Sequence, residues 1–391
     1  MFRALFLFNH DQAHQVAHSL PIALALAETG SARVTIAVTT DTIEQYVRTH
    51  AGPALARCDL VRLRPRSVAS EWLVATLDAI IPARKLTVYH DNLDFFRGFD
   101  ALVVPEKTSL LLKTRYGLDS LRLIHTRHGA GDRSIGFRAE SAQFDLVLVA
   151  GPKTARRLID EARVPPERIA IVGYAKFNFY ARKSIHNPFP DPSKPTVLYN
   201  PHPSPKLSSW YRMGKQVLES FYHADRYNFV FAPHVMMFTR NWTVTLSPPA
   251  IRRMHRPLQR YNDAPHMLVD LGSLASSDMT YTNLADIYVG DVSSQVYEFL
   301  YRPRPCLHLD AQGVAWRDDP SYAHWQAGPV IGRGEDILAA VDRALATHGD
   351  YLRAQHQLLT DTFSVTHEPA SQRAARAIAE FMNGQSHSRA R

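Results

Sequence analysis

Short, largely apolar runs recur along the chain, and most are followed by a segment in which apolar residues return at helical spacing. The clearest runs lie at 101–104, 146–149 and 306–309. Runs this short and this apolar are typical of parallel strands that are buried on both faces. Alternation of such strands with amphipathic helices predicts an α/β fold.

The same patterns predict the other regular elements. Further strands are expected at 3–8, 34–38, 122–125, 169–172, 196–199, 228–232, 267–270 and 287–289. Helices are expected at 12–28, 42–50, 70–81, 154–161, 213–223, 336–346 and 370–382. Two successive series of this kind predict two doubly wound Rossmann-like domains facing each other across a cleft. Ligands of such sheets bind beyond the carboxyl ends of the strands.

A proline-rich polar stretch at 182–195 is the best domain boundary, because its composition is that of a linker. We therefore expect an N-terminal acceptor-side domain at 1–182 and a C-terminal nucleotide-donor-binding domain at 195–370. A C-terminal helix at 371–384 is expected to pack back toward the N-terminal domain.

The composition excludes several classes of protein. With 45% apolar residues the 391-residue chain is not disordered, and its two distant cysteines give no disulfide framework. A reducing cytoplasm fits this cysteine content. The net charge of +8 suits phosphate-rich substrates or peripheral contact with the inner face of an anionic membrane. No apolar run reaches the roughly 20 residues of a membrane span, and no aromatic-interleaved basic stripe indicates nucleic acid.

Segment 284–306 contains the most informative turn. An apolar run at 287–289 ends before Asp291, two hydroxyl residues follow at Ser293 and Ser294, and helical spacing then begins. This order predicts a strand, a tight turn and a helix that begins at the serines. Free N–H groups and the helix dipole favour an anion at such a position. We expect the serines to bind a diphosphate, and the alternative is an ordinary N-cap.

The strongest N-terminal candidate is the glycine-rich turn after the strand at 122–125. It contains His128, Gly129 and Arg133. Glycines allow the backbone to approach a ligand closely, and a histidine at the end of a strand can act as a base near neutral pH. The alternative is a turn whose polar side chains only cap the backbone.

Other histidines also follow predicted strands. His202 and His234 do so in the C-terminal half, where they could hold phosphate oxygens. His10, His14 and His18 are four residues apart, which would stack them along a helix. Because no carboxylate or cysteine accompanies them, we expect no metal there and keep His14 as an acceptor-side candidate.

These segments resemble the CDP-glycerol glycerophosphotransferase family of teichoic-acid-type polymerases and primases, over about two-thirds of the chain. The matching segments are His128-Gly129 with Gly136, Gly173-Tyr174 with Lys176-Phe177-Asn178, His234, Asp291–Glu298 with Arg302-Pro303, Ala327–Pro329 and Glu368–Arg373. The sequence departs from the family pattern at Ala130, Gly131, Ala175, Pro233 and Glu298. The transferred group therefore stays open between glycerol phosphate, ribitol phosphate and a sugar.

The resemblance implies a GT-B transferase. No acidic metal cage is visible in the sequence, so we expect no obligatory metal and no other cofactor. His128 and His234 would be catalytic. The donor-binding set would be Gly129, Lys176, His202, Asp291, Ser293, Ser294, Gln295 and Glu298, and the acceptor-side set His14, Lys107 and Arg133. The donor would be nucleotide-activated, with a CDP-linked one favoured, and the acceptor a cell-surface polymer or a lipid-linked precursor.

Three alternatives remain open from the sequence. One is a GT-B glycosyltransferase for surface polysaccharide. A second is an enzyme of the UDP-N-acetylglucosamine 2-epimerase type, for which Asp91, Asp94 and Glu106 are the available acids. A third is a non-catalytic basic protein that binds nucleic acid or an anionic membrane.

Overall fold

The computed structural model describes residues 1–10, 13–67, 83–181, 183–239, 242–246 and 249–389. The chain divides into two compact units. The N-terminal unit comprises Met1–Gly129, Phe137–Phe179 and Asp361–Arg391, and the C-terminal unit comprises Ala130–Gly136 and Tyr180–Thr360. The short loop Ala130–Gly136 thus belongs to the C-terminal unit, although the chain on both sides of it belongs to the N-terminal one. The long segments of the two units meet between Phe179 and Tyr180, and the sequence suggested a linker at 182–195.

Among the described residues of the N-terminal unit, seven parallel strands form one sheet. They are β1 (Phe2–Phe8), β2 (Ala32–Val38), β3 (Asp59–Arg62), β4 (Ala101–Val104), β5 (Arg122–His125), β6 (Leu146–Val149) and β7 (Ile169–Ile171). Their spatial order is β3-β2-β1-β4-β5-β6-β7. The order reverses between β1 and β4, so ligands are expected beyond the carboxyl ends of these two strands.

The C-terminal unit contains a second parallel sheet and a separate antiparallel hairpin. The strands are β8 (Thr196–Asn200), β9 (Asn228–Phe231), β10 (Trp242–Leu246), β11 (Pro249–Arg253), β12 (Met267–Val269), β13 (Ile287–Gly290), β14 (Cys306–Leu309) and β15 (Val330–Ile331). The parallel sheet has the order β12-β9-β8-β13-β14-β15, and β10 pairs with β11. Here the order reverses between β8 and β13.

Helices connect most of these strands. The α-helices are α1 (Leu20–Glu28), α2 (Asp41–Ala51), α3 (Ala83–Asp91), α4 (Leu93–Arg97), α5 (Leu111–Thr114), α6 (Pro152–Asp160), α7 (Lys176–Tyr180), α8 (Trp210–Tyr222), α9 (Gln259–Asp263), α10 (Thr280–Leu284), α11 (Gln295–Phe299), α12 (Ile337–Ala346), α13 (His348–Thr362) and α14 (Ala370–Arg389). Short 3-10 helices lie at Ala13–His18, Gly52–Arg57, Thr108–Leu110, Ser134–Phe137, Ala139–Gln143, Pro166–Arg168, Leu274–Ser276 and Pro320–Ala327. In the part of the chain that the structure covers, no helix is long and apolar enough to cross a membrane.

Each unit has its own apolar core. In the N-terminal unit, alternate side chains of β1 enter cores on opposite faces of the sheet, with Phe6 on one face and Leu7 on the other. The C-terminal helix α14 packs against α1 and places Ile378 in the same core as Phe6. Helix α14 therefore contributes side chains to the core of the N-terminal unit.

The predicted fold class is confirmed, because both units contain parallel sheets with helices. The strands expected at 101–104, 122–125, 146–149 and 306–309 have the predicted bounds. The prediction of one continuous helix at 12–28 was wrong, because the described part of this range is a 3-10 segment, Ala13–His18, followed by α1. Pro21 lies in the first turn of α1, where its missing N–H needs no partner. The helix predicted at 70–81 lies outside the described residues.

Candidate functional site

Asp291 follows β13 at the point where the strand order of the C-terminal sheet reverses. Its carboxylate is fully buried. It accepts hydrogen bonds from the backbone N–H groups of His202 (2.9 Å), Ser209 (2.5 Å) and Val292 (2.7 Å), and from the Ser209 hydroxyl (2.8 Å). Four donors occupy the roughly four acceptor positions of a carboxylate. Burial raises the pKa of Asp291 to about 6, against the lowering effect of these bonds.

These contacts give Asp291 a structural role. Its oxygens hold the chain after β8 and the start of α8, and its contact with a donor stays a prediction. Its backbone carbonyl accepts two further bonds, from His324 Nε2 at 2.9 Å and from the Trp325 indole at 3.0 Å. Asp291 thus links three separate segments of the C-terminal unit.

The two serines after Asp291 have different surroundings. The Ser293 hydroxyl is buried and donates to Asn200 Oδ1 at 2.5 Å, which uses its single hydrogen. Ser294 is exposed and immediately precedes α11. Of the two serines expected to bind a diphosphate, Ser294 is the exposed one, and the role of the pair stays a prediction.

Two further residues of the predicted donor set also point into protein. The side-chain amide of Gln295 donates to the carbonyl of Ser276 at 2.8 Å. Glu298 is buried, with 6% of its surface exposed. The expected contact of Gln295 and Glu298 with a donor stays a prediction.

His202 follows β8 and is buried. Its Nδ1 accepts the backbone N–H of Ser204 at 3.0 Å, so the neutral ring has its hydrogen on Nε2. Burial first, and then the charge of Arg133, lower the pKa of His202 to about 3. At neutral pH the ring is therefore an uncharged donor through Nε2.

Arg133 belongs to the loop Ala130–Gly136 and so to the C-terminal unit. Its guanidinium lies 3.0 Å from Nε2 of His202. The sequence placed Arg133 in the acceptor-side set, and in the structure it lies beside His202, a residue of the predicted donor-binding set. Among the residues that the structure describes, no carboxylate lies within 4.0 Å of its guanidinium.

His234 follows β9 and completes this group. Its Nδ1 accepts the backbone N–H of Met236 at 3.2 Å, which again leaves the hydrogen on Nε2. The rings of His234 and His202 have centroids 6.1 Å apart. Burial and the charge of Arg133 lower the pKa of His234 to about 4, so this ring is also neutral near pH 7. Arg133, His202 and His234 are called the donor cluster below.

The donor cluster can bind an oxyanion. A guanidinium has five N–H donors and no acceptor, and each neutral imidazole presents one N–H. Arg133 and His202 therefore face each other as two donors without an acceptor between them. An anionic oxygen would accept from both, and such charge-assisted bonds are stronger than neutral ones.

His128 lies in the N-terminal unit, after β5. Its Nδ1 donates to the carbonyl of Pro105 at 2.8 Å, so Nε2 has an unprotonated lone pair. Desolvation lowers the pKa of His128, although the bond to Pro105 raises it. Arg127 and Gly129 on either side have φ angles of 57° and 71°, and a non-glycine residue at positive φ marks local strain that is common at functional sites.

A small cavity in the N-terminal unit is lined by His18, His128, Gly129 and Tyr174, among others. Burial first, and then the positive charge of Lys176, lower the pKa of His18 well below its ordinary value. Lys176 was expected in the donor-binding set. It is instead a buried residue of the N-terminal unit, at the start of α7.

The other acceptor-side candidates also lie in the N-terminal unit. His14 is half-buried in the 3-10 segment Ala13–His18. Lys107 lies 3.7 Å from a carboxylate oxygen of Glu140, and desolvation lowers the pKa of Lys107. Among the described residues, no group of three or more histidine, cysteine or acidic side chains could hold a metal ion.

Sequence reasoning did not identify Asn200, Tyr297 and His324, and it gave Asp132 no role beyond its place in the glycine-rich turn. Asp132 is buried and accepts from the Tyr297 hydroxyl and from Nδ1 of His324, the latter at 3.2 Å. These residues are up to 192 positions apart in the sequence. The one signal in the sequence was the position of Asp132 inside a glycine-rich turn, and this position did not indicate its hydrogen-bond partners.

No protein-family model matches the sequence, and no curated protein matches it. Solved structures match nearly the whole chain at low identity. A variant of the wall teichoic acid polymerase TagF soaked with CDPG has a TM-score of 0.61 at 13% identity, over 98% of this chain and 89% of that chain. A Listeria monocytogenes protein assigned as a UDP-N-acetylglucosamine 2-epimerase has a TM-score of 0.58 at 12% identity, over 99% of this chain and 97% of that chain. The glycotransferase of kitacinnamycin has a TM-score of 0.55 at 13% identity, over 97% of this chain and 99% of that chain. The chain therefore has the GT-B fold.

Proposed function

We propose that this protein is a GT-B transferase that binds the diphosphate of a nucleotide-activated donor at the donor cluster. One observation carries the proposal: a guanidinium nitrogen of Arg133 and Nε2 of His202, which are both hydrogen-bond donors when Nδ1 accepts from Ser204, lie 3.0 Å apart. The exposed hydroxyl of Ser294 adds a further donor after β13, where the strand order reverses. The C-terminal unit would then be the donor-binding unit and the N-terminal unit the acceptor-side one.

A CDP-linked donor is the favoured one, and the transferred group is glycerol phosphate or a related polyol phosphate. Support comes from the segments that resemble the CDP-glycerol glycerophosphotransferases and from the similarity in fold to TagF soaked with CDPG. The acceptor would be a cell-surface polymer or a lipid-linked precursor. With a net charge of +8, the protein would be attracted to the anionic membrane surface that holds such a precursor.

The chemistry is a phosphoryl transfer. The acceptor hydroxyl attacks the β-phosphorus of the donor, a new P–O bond forms, and the bond from that phosphorus to the bridging oxygen breaks. CMP leaves with the electron pair of that bond. Nε2 of His128 would take the acceptor's proton, because its Nδ1 is already bonded to Pro105. Arg133, His202 and His234 would stabilise the charge on the leaving CMP.

An epimerase is less well supported because its candidate acids are already engaged. Glu106 accepts from the Tyr89 hydroxyl at 2.7 Å and from the N–H of Thr108 at 2.5 Å. Asp91 accepts from the backbone N–H of Arg66 at 2.7 Å, and Asp94 pairs with Arg97 at the surface. A glycosyltransferase would use the same diphosphate site, so it stays the second candidate.

Nucleotide-dependent stabilisation of the purified protein tests the proposal. The melting temperature should rise with CDP more than with UDP or GDP, since a ligand that binds only the folded state stabilises it by about 2.7 kcal/mol at one hundred times its Kd. Release of CMP from CDP-glycerol in the presence of a polyol-phosphate acceptor would then identify the reaction.

Two results would contradict the assignment. Preference for UDP or GDP, with release of a nucleoside diphosphate from a nucleotide sugar, would establish the glycosyltransferase instead. Absence of any stabilisation by pyrophosphate and by all three nucleoside diphosphates would remove the diphosphate site itself.

A further inference from the structure

Asp132 fastens the loop Ala130–Gly136 to the C-terminal unit. The residue is 3% exposed, and its carboxylate accepts hydrogen bonds from the Tyr297 hydroxyl and from Nδ1 of His324. Tyr297 lies on α11, the helix that follows Ser294, and His324 lies in the 3-10 segment before β15. One side chain of the loop is thus bonded to two different elements.

Both ring nitrogens of His324 face hydrogen-bond acceptors. Nε2 of the histidine faces the carbonyl of Asp291 at 2.9 Å, which can only accept, so Nε2 is protonated. Nδ1 faces the carboxylate at 3.2 Å. An amide at position 132 could not reproduce this pattern, since it cannot supply both the charge and the same acceptor geometry.

The neighbouring residues of the loop lie in the donor cluster. Arg133 directly follows Asp132 and lies 3.0 Å from His202. On the other side, a Cβ added to Gly131 would be 3.1 Å from Cβ of Ser294, so the loop backbone passes close to that serine. The attachment of Asp132 therefore lies between the two points at which the loop reaches the proposed anion site.

We propose that Asp132, held by Tyr297 and His324, is a positioning residue that fixes Arg133 in the donor cluster. The inference rests on the proposed function, because it assigns the attachment to the same diphosphate site. Arg133 has a long flexible side chain, and an anchored backbone reduces the entropy lost when its guanidinium binds an anion. Without the attachment, Arg133 would still be present but would meet the anion in only a fraction of loop conformations.

Equilibrium binding of CDP and of inorganic pyrophosphate to D132N tests this role. We expect the Kd of both ligands to rise at least tenfold. In an R133Q background the same D132N change should add less than twofold, because the residue that Asp132 positions is already lost. A purely structural role of Asp132 would instead weaken binding by the same factor in both backgrounds.

A second variant tests the same contact if D132N does not fold. Tyr297→Phe removes only the hydroxyl donor to Asp132, and it should raise the Kd of CDP by a smaller factor that also disappears in the R133Q background. Tyr281→Phe is the matched control, because the Tyr281 hydroxyl donates to a different carboxylate, that of Asp270, at 2.8 Å. It should leave the Kd unchanged.

The outcomes separate this inference from the proposed function. Wild-type affinity in both D132N and Tyr297→Phe, while the wild-type protein binds CDP, would overturn the positioning role and leave the diphosphate site standing. Failure of the wild-type protein to bind either pyrophosphate or a nucleoside diphosphate would overturn both.

Discussion

Nε2 of His202 lies 3.0 Å from a guanidinium nitrogen of Arg133, and both atoms are hydrogen-bond donors. The bond from Ser204 to Nδ1 at 3.0 Å fixes the ring in this state. Two facing donors cannot bond to each other, which is unfavourable for the buried ring of His202 beside the exposed Arg133. An oxyanion bound between them would convert this unfavourable contact into two hydrogen bonds.

Arg133→Gln should therefore weaken binding of a nucleoside diphosphate. A hydrogen bond to a charged group contributes roughly 1.5–3 kcal/mol, so the Kd for CDP should rise by about 10- to 100-fold in titration calorimetry. Arg138→Gln is the control, because Arg138 is exposed and lies only five residues further along the chain. Equal affinities of wild type and Arg133→Gln would remove Arg133 from the site.

His308→Phe should stabilise the protein, and more so in acid. His308 is fully buried in β14 and stacks on Trp325, and neither ring nitrogen has a partner among the described residues. Burial lowers the pKa of His308 well below its ordinary value, so the folded protein keeps the ring neutral. The unfolded chain takes up the proton below pH 6.5, and stability is therefore lost as the pH falls.

The size of this effect can be measured by denaturant unfolding at two pH values. Relief of a buried unsatisfied group should give about 1 kcal/mol at pH 7.5. At pH 5 the unfolded state of the wild type gains about 2 kcal/mol from protonating His308, and Phe removes that gain. An equal difference between the two proteins at both pH values would show that His308 does not titrate as stated.

The sequence was most informative where local pattern decides the structure. The bounds of β4, β6 and β14 could be predicted from their apolar runs, because a parallel strand buried on both faces is a nearly continuous run of apolar residues. The positions of His202 and His234 after β8 and β9 were also predictable, since the carboxyl ends of parallel strands share one edge.

Other features depend on partners that are remote in sequence. Whether Ser293 faces a ligand or Asn200 is decided by a residue 93 positions away, and nothing near Ser293 signals it. The position of Arg133 in the C-terminal unit depends in the same way on Tyr297, which lies 165 positions from Asp132. Such pairings are set by tertiary packing, which local spacing does not encode.

His128→Ala should abolish transfer and leave donor binding intact. General base catalysis contributes typically 10²- to 10⁴-fold, so kcat should fall by about that factor while the Kd of CDP stays within twofold. His90→Ala is the control, because His90 is an exposed histidine of the same unit, bonded to Asp91. Transfer at the wild-type rate in His128→Ala would exclude it as the base.

The pH profile of the wild type gives a second test of His128. The base must be neutral to accept a proton, and desolvation lowers the pKa of His128 below its ordinary value near 6.5. The acidic fall of kcat/KM should therefore be half complete at a pH below 6.5. A fall that is already half complete at pH 7 would contradict this assignment.

Gly151→Ala should destabilise the N-terminal unit. A Cβ at this position would lie 2.4 Å from the carbonyl oxygen of Thr362 and 2.8 Å from the nitrogen of Phe363, both of which are backbone atoms. Because a backbone cannot yield like a flexible side chain, we expect a loss of about 1–3 kcal/mol in the free energy of unfolding. The matched control is Gly349→Ala, at an exposed helical position with no atom within 4 Å of the added Cβ. Alanine there should be neutral or stabilise by up to about 1 kcal/mol, since it restricts the unfolded chain. Equal melting temperatures for the two variants would mean that the chain after α13 does not pack against the end of β6 as the structure has it.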